Sequence, residues 1–376
     1  MKEINIAKVI VQKRREKGIT QDELASYMGV SKASVSKWET GKSYPDVVFL
    51  PQLAAYFNIS IDELMGYAPQ MTKEDIRKLY HRLSSDFAIK PFESVYGECK
   101  KIIKKYYSCY PLLVQMVVLY LNHHMLVEDQ KKRETILQEA VDLCVRIKTE
   151  SEDVWLSKEA TSMEALCYLT LRRPLDVIGL FDESIRPIAA DDLTMAQAYE
   201  MVGNKAMAKK VTQISMYQHL MLLVGTAPFY LMQNADDPKM TEEILNRTLS
   251  VAKTYDLEHL HPNSMVQLYL MAAYVYSLQG DTGRTLDMLE KYKDCCIHGF
   301  FPYNIHGDAF FDEVGGWFAE FDLGTNAPRD EKIIKESMLQ GVLSNPAFST
   351  LAEEPRFNNI VEALRQNLGG KTNGTV

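Results

Sequence analysis

Residues 20–45 read TQDELASYMGVSKASVSKWETGKSYP, and their punctuation is that of two short helices joined by a tight turn. Thr20, followed three residues later by Glu23, is a capping box: the hydroxyl accepts from a free backbone N–H and the carboxylate reaches back. Gly29 supplies the left-handed conformation that a sharp turn needs. Ser31 stands where the next helix needs its cap, Gly41 ends that helix and Pro45 lies just beyond. Leu24, Val30, Val35 and Trp38 are spaced to face inward, with the small Ala25 where the two helices cross. The other edge of the second helix carries Lys32, Ala33, Ser34, Ser36 and Lys37. These short or cationic side chains suit a DNA major groove about 12 Å wide.

Working outward, a helix is expected over about residues 4–17, closed by Gly18, and another over about 46–57. Ser60 and Glu63 form a second capping box that opens a fifth helix. Pro69, with Gln70 and Thr72 around it, reads as a linker. The expected layout is a head at 1–67, a linker at 68–72, a helical body at 73–368 and a disordered tail at 369–376. The fold class expected is all-α, a five-helix head followed by an array of helical hairpins.

The run Thr20-Gln21, Leu24-Ala25, Gly29-Val30-Ser31, Val35-Ser36, Trp38-Glu39, Gly41, Pro45, continued by Phe57, Ser60, Asp62 and Leu64, resembles the Cro/repressor-type (XRE) helix-turn-helix family. It covers about one sixth of the chain. The resemblance implies a sequence-specific regulator that binds double-stranded DNA. Carried over residue by residue, it implies that Lys32, Ala33, Ser36 and Lys37 read base edges. Gln21, Ser34, Lys42 and Ser43 would meet phosphates. Arg14 and Glu39 match a pair that ties the first helix to the third, and Trp38 is core. Position 13 is Lys where many members carry Leu, and is expected to be exposed and basic.

The charge distribution fits a head that touches a polyanion. Residues 1–67 hold nine Lys and Arg against eight Asp and Glu, while the remaining 309 hold 33 against 42, which completes the net of −8. A chain that coated nucleic acid along its whole length would not be so acidic outside its head. The longest apolar stretch, Leu112 to Leu121, is broken by Gln115 and too short to span a bilayer. The N-terminus lacks the pattern of a signal peptide, so a cytoplasmic chain with six reduced cysteines is expected.

Beyond residue 72, apolar residues recur at three and four spacing in segments of about 12 to 20 residues. Three windows align, each a small residue, then Tyr, a turn and a further small or β-branched residue: Ala165/Tyr168/Arg172/Val177, Ala196/Tyr199/Gly203/Ala208 and Ala273/Tyr276/Gly280/Thr285. They resemble the tetratricopeptide (TPR) repeat in degenerate form. A DNA-binding head on such a body resembles the peptide-pheromone receptors of Gram-positive bacteria, the RRNPP group. That resemblance implies a homodimer on a palindromic operator and a body that senses a signalling peptide. Gln197, Asn263 and Gln267, polar residues on first helices, are the groove candidates. The alternative is an antitoxin or adaptor whose body grips another protein.

Other patterns point away from chemistry. Gly41-Lys42-Ser43 mimics the end of a phosphate-binding loop, but the glycine required five positions earlier is Ser36 and no strand precedes it. Cys295, Cys296 and His298 lack a second pair at zinc spacing. His306, Asp308, Asp312 and Glu313 sit in an aromatic stretch expected to pack irregular helices. His123-His124 lies in an apolar helix. No catalytic motif, metal site or cofactor is expected.

Overall fold

Capping residues decide where the N-terminal helices begin. The Thr20 hydroxyl accepts from the Glu23 N–H at 3.2 Å, and the Thr20 N–H donates to the Glu23 carboxylate at 2.7 Å. Those backbone and hydroxyl donors hold the Glu23 carboxyl below its ordinary range. Gly29 takes φ 67° and Ser31 accepts from the Ser34 N–H at 3.2 Å. The head is thus α1 (Ile6–Glu16), α2 (Gln21–Met28), α3 (Lys32–Glu39), α4 (Leu50–Phe57) and α5 (Ile61–Met65). The fourth helix is preceded by a separate 3-10 turn, Val47–Phe49, which Asp46 caps. At α5 only half of the expected capping box forms. Ser60 accepts from the Glu63 N–H at 3.0 Å, while the Glu63 carboxylate lies 3.5 Å from Lys13. Ile6, Ile10, Leu24, Ala25, Met28, Val35, Trp38, Leu53, Ala54, Phe57 and Leu64 form one buried cluster that joins all five helices.

The computed structural model describes residues 5–66, 70–181, 188 and 190–369. Part of the expected linker, 68–69, and nearly all of the expected tail, 370–376, lie outside the described residues. The described part of the linker is pinned: Gln70 donates to the Ser108 carbonyl at 3.1 Å and Thr72 caps the next helix through the Asp75 N–H at 3.2 Å.

The remaining helices are α6 (Lys73–Ile89), α7 (Phe92–Lys105), α8 (Tyr110–His123), α9 (Gln130–Glu150), α10 (Val154–Thr170), α11 (Pro174–Leu180) and α12 (Asp191–Met201). Then come α13 (Lys205–Gln233), α14 (Pro238–Thr254), α15 (Leu257–Leu260), α16 (Pro262–Leu278), α17 (Thr282–Asp294), α18 (Gly315–Ala319), α19 (Glu331–Leu343) and α20 (Pro355–Leu368). Among the described residues there is no strand, and no helix is long and apolar enough to cross a membrane. The fold is all-α.

The chain divides into two compact units, residues 1–76 with 91–177 and residues 77–90 with 178–376. In the first, α8 is the central element: Leu112 to Val117 are all buried, and α9 and α10 pack against it. In the second, α13, α16, α17 and α20 enclose an apolar cluster that includes Leu231, Leu268, Val275, Leu289 and Leu364. The aromatic stretch joins this cluster, with Tyr217 edge-on to Phe311 and Phe318 at 5.4 and 5.1 Å.

The three aligned windows share one turn geometry. In each, the chain leaves a helix through a left-handed residue: Arg172 at φ 57°, Gly203 at 77° and Gly280 at 74°. The next N–H then bonds back to the tyrosine carbonyl, Arg173 to Tyr168 at 2.8 Å, Asn204 to Tyr199 at 2.9 Å and Asp281 to Tyr276 at 3.0 Å. The small residues Ala165, Ala196 and Ala273 are buried, and so are Ala208 and Thr285 after the turns. A helix–turn–helix hairpin thus starts at the expected place in every window.

Candidate nucleic-acid interface

The second and third helices are fixed from inside before any outward side chain matters. Val35 and Trp38 are buried on the inner side of α3, and the Trp38 ring lies 5.8 Å from that of Phe49. A polar brace closes the other end. Arg14 on α1 grips Glu39 with two nitrogens, Nη2 donating at 3.1 Å, and its Nη1 donates to the Ile19 carbonyl at 2.7 Å. Gln21 donates to the same Glu39 carboxylate at 2.8 Å. The pair is largely withdrawn from water, with side-chain exposures of 14% for Arg14 and 5% for Glu39. Burial opposes the Glu39 charge, but the hydrogen bonds from Arg14 and Gln21 outweigh it and hold the carboxyl below its ordinary range. One carboxylate therefore couples α1, the start of α2 and the end of α3.

The outer edge of α3 is an eight-residue strip about 12 Å long. Lys32, Ala33 and Lys37 are exposed, and Ser34 and Ser36 are half-buried. Among the described residues no side-chain partner restrains Lys37. The Lys32 ammonium, by contrast, lies 2.6 Å from Asp22 on α2, with both side chains about 60% exposed. Such an exposed pair is worth about 0.2–1 kcal/mol and opens easily. Ser34 shares a 2.9 Å hydroxyl contact with Ser31 at the helix start. Past α3, Lys42 is exposed and Ser43 half-buried, and both backbone N–H groups bond to the Lys37 carbonyl, at 2.9 and 3.3 Å. Gln21 is half-buried and spends one amide N–H on Glu39, which leaves its second for an outside acceptor.

Lys13 departs from expectation. It is half-buried and lies between Glu16 at 3.3 Å and Glu63 at 3.5 Å. The hydrogen bond with Glu16 raises its pKa, so it is a charged member of a surface network and not a free cation. Two features escaped the sequence reading. Asp22, an acid on the rim, tethers Lys32, which only the relative placement of α2 and α3 reveals. Tyr44, next to Ser43, is 60% exposed, an aromatic at the end of the loop that carries Lys42. Its signal was its place between Gly41 and Pro45, outside any helical period.

All six cysteines are buried and free, and burial pushes the Cys295 thiol up to about 12. Among the described residues no group of His, Cys, Asp and Glu is placed to hold a metal ion. Asp312 takes Lys209 at 2.6 Å and Gln213 at 2.7 Å, and Asp308 caps the Phe310 and Phe311 N–H groups. The groove candidates lie on two helices: Gln197 is exposed on α12, Asn263 half-buried and Gln267 exposed on α16.

Comparison with known proteins agrees with this geometry. Residues 10–64 match the family model described as helix-turn-helix. The HTH-type transcriptional activator BcrR of Enterococcus faecalis is 34% identical over 76 residues, which are 19% of this chain and 37% of that protein. The chain thus spans about a third of the length of this relative. No solved structure matches the chain. The N-terminal head is an XRE-type helix-turn-helix domain.

Proposed function

We propose that the chain is a sequence-specific regulator of transcription that binds double-stranded DNA as a homodimer on a palindromic operator, with a TPR-like body that dimerises and senses a peptide. The observation that carries it is the braced outer edge of α3. Lys37 and Ala33 face solvent from a helix whose other side is locked into the head core, and the Arg14–Glu39–Gln21 brace keeps the edge at a fixed angle. In this reading Lys32, Ala33, Ser36 and Lys37 read bases, and Gln21, Ser34, Lys42 and Ser43 hold phosphates. A single short helix reads few bases, so specificity comes from two heads about one helical turn apart. The body acts in the cytoplasm and carries no cofactor, metal or catalytic step. A peptide bound around Gln197, Asn263 and Gln267 would change operator affinity by favouring one arrangement of the heads.

Selection on random duplex DNA with the purified protein tests this. A two-fold symmetric site is expected. Lys37→Ala should cost about 1–3 kcal/mol at one position of each half-site, whereas Gln21→Ala should weaken all sequences alike. A protein with no preference among duplexes at any salt concentration would overturn the reading. The runner-up, an antitoxin or adaptor, draws on the exposed apolar side chains of the body, among them Leu222, Leu223 and Phe229. Co-purification of a different chain, one that releases when these are replaced, would favour it.

A further inference from the structure

Two consecutive arginines close the α10–α11 turn, and they are used differently. Arg173 is committed: its guanidinium takes both Asp176 oxygens, at 2.9 and 3.0 Å, donates to Gln138 at 3.1 Å and covers the Tyr168 ring at 4.6 Å. Arg172 is exposed, has no side-chain partner among the described residues and holds φ 57°. The two sibling turns place Gly203 and Gly280 at this position, where a side chain strains the backbone. A residue held in a sparsely populated conformation, with nothing inside the chain to reward it, is a pointer to function.

Arg172 lines a cavity of about 380 Å³ with His124, Gln130, Arg133, Glu134 and Thr170. Its walls are the 3-10 turn His124–Leu126, the first turns of α9 and the end of α10. Arg133 reaches into the same space with little to hold it. Its Nε is buried without a hydrogen-bond partner, and its Nη2 makes only a 3.4 Å contact to the Glu128 carbonyl. An unsatisfied buried guanidinium N–H is costly unless something outside the chain accepts from it. Glu134 does not answer either arginine; its carboxylate takes the Gln130 amide at 2.9 Å. His124 has one ring nitrogen 3.0 Å from the Leu121 carbonyl, and burial holds its pKa below the ordinary value. The lining therefore carries two cations against one carboxylate.

We propose that this cavity binds a small ligand through an oxyanion, a carboxylate or a phosphate, held by the guanidinium groups of Arg133 and Arg172. The planar fork of arginine matches both anions, and the volume falls in the range of small-molecule sites. The site belongs to the helical body and does not depend on the DNA-binding reading of the head.

The test is calorimetric titration of the full-length chain at constant ionic strength with inorganic phosphate, with N-acetylglycylglycine and with the C-terminal amide of that dipeptide. Saturable binding of phosphate or of the free carboxylate at millimolar concentration or below is expected, with none for the amide. Phosphate binding alone would assign a phosphate ester as ligand; binding of the dipeptide acid would assign a carboxylate. Arg172→Gly should weaken the bound probe about tenfold or more and melt no lower than the parent, because glycine relieves the turn. Arg133→Lys, which keeps the charge and loses the fork, should weaken it as well. Lys37→Ala in the head should leave binding unchanged. No saturable binding of either anion, unaltered affinity in Arg172→Gly, or loss of binding in Lys37→Ala would each overturn the proposal.

Discussion

Helices α3 and α13 expose opposite kinds of side chain. On α3 the apolar Val35 and Trp38 go inside and lysines face water. On α13 the polar Gln213 and Ser215 are buried with the apolar residues, whereas Leu222, Leu223 and Phe229 stand 58, 60 and 73% exposed. The head is therefore complete as a folded object and carries a surface suited to a polyanion. The outer side of α13 leaves apolar area in water, the kind of surface that marks interaction sites. Beside it lies an apolar groove of about 660 Å³ between α13 and α14, walled by Leu223, Ala227, Phe229, Tyr230, Met240 and Ile244. The two helices teach the same lesson from opposite chemistries: an outward face that does not match water implies a counterpart.

The contrast breaks most visibly if the head core is emptied. Trp38→Ala should destabilise the head by about 3–5 kcal/mol, because a large buried ring is lost from between α3 and the Val47–Phe49 turn. DNA binding should vanish while the second unit keeps its own melting transition. A variant that melts and binds like the parent would mean that the inner side of α3 does not hold its outer side.

Next in size is the apolar counterpart. On the proposed homodimer, Leu223→Glu and Phe229→Ser should each weaken self-association by about 2 kcal/mol if they lie at its centre, read by sedimentation across a concentration series. Half-site binding by the head alone should be untouched. Unchanged association in both variants would remove α13 from the interface and leave its exposed leucines without a partner of the same chain.

Much of the head was legible because its signals are local. A capping box, a left-handed glycine and a serine cap act within four residues of sequence, and Thr20, Gly29 and Ser31 do what their positions imply. The hairpin turns at 172, 203 and 280 were legible for the same reason. What was not legible depends on register between helices. The Glu63 carboxylate had a local partner in the Ser60 N–H and instead lies 3.5 Å from Lys13, on α1 at the other end of the head sequence. Asp22 and Lys32 are ten residues apart, so no periodicity predicts their contact. The 29-residue α13 exceeds the segment length that periodicity suggested, since its interior Pro228, a usual helix breaker, is buried and accommodated. For the interface, the residue types were visible in the sequence, but which lysine is tethered and which is free was not.

The brace behind α3 offers a pH test of intermediate size. Glu39 has a folded pKa below its ordinary 4.5, so its charge contributes stability that is present above that value and is lost as pH falls through the folded pKa. The head should therefore weaken progressively below about pH 4.5, and Glu39→Gln should flatten that part of the profile at the cost of lower stability at neutral pH. An acid limb equally steep in parent and variant would place the titrating group elsewhere.

The smallest expected effect concerns Asp22. Its ion pair with Lys32 is exposed on both sides, so Asp22→Asn should cost the free protein no more than about 1 kcal/mol. On DNA the two possible outcomes separate two roles for the acid. If Asp22 merely occupies the ammonium, its removal frees Lys32 and relieves repulsion with the phosphates. Affinity for all duplexes should then rise by up to about fivefold, the equivalent of that 1 kcal/mol, with a steeper dependence on salt. If Asp22 instead aims Lys32 at a base edge, affinity for the selected operator should fall while binding to unrelated duplexes holds. Comparison with Lys32→Ala on the same two duplexes decides between them, because only an aimed lysine makes the two variants lose selectivity together.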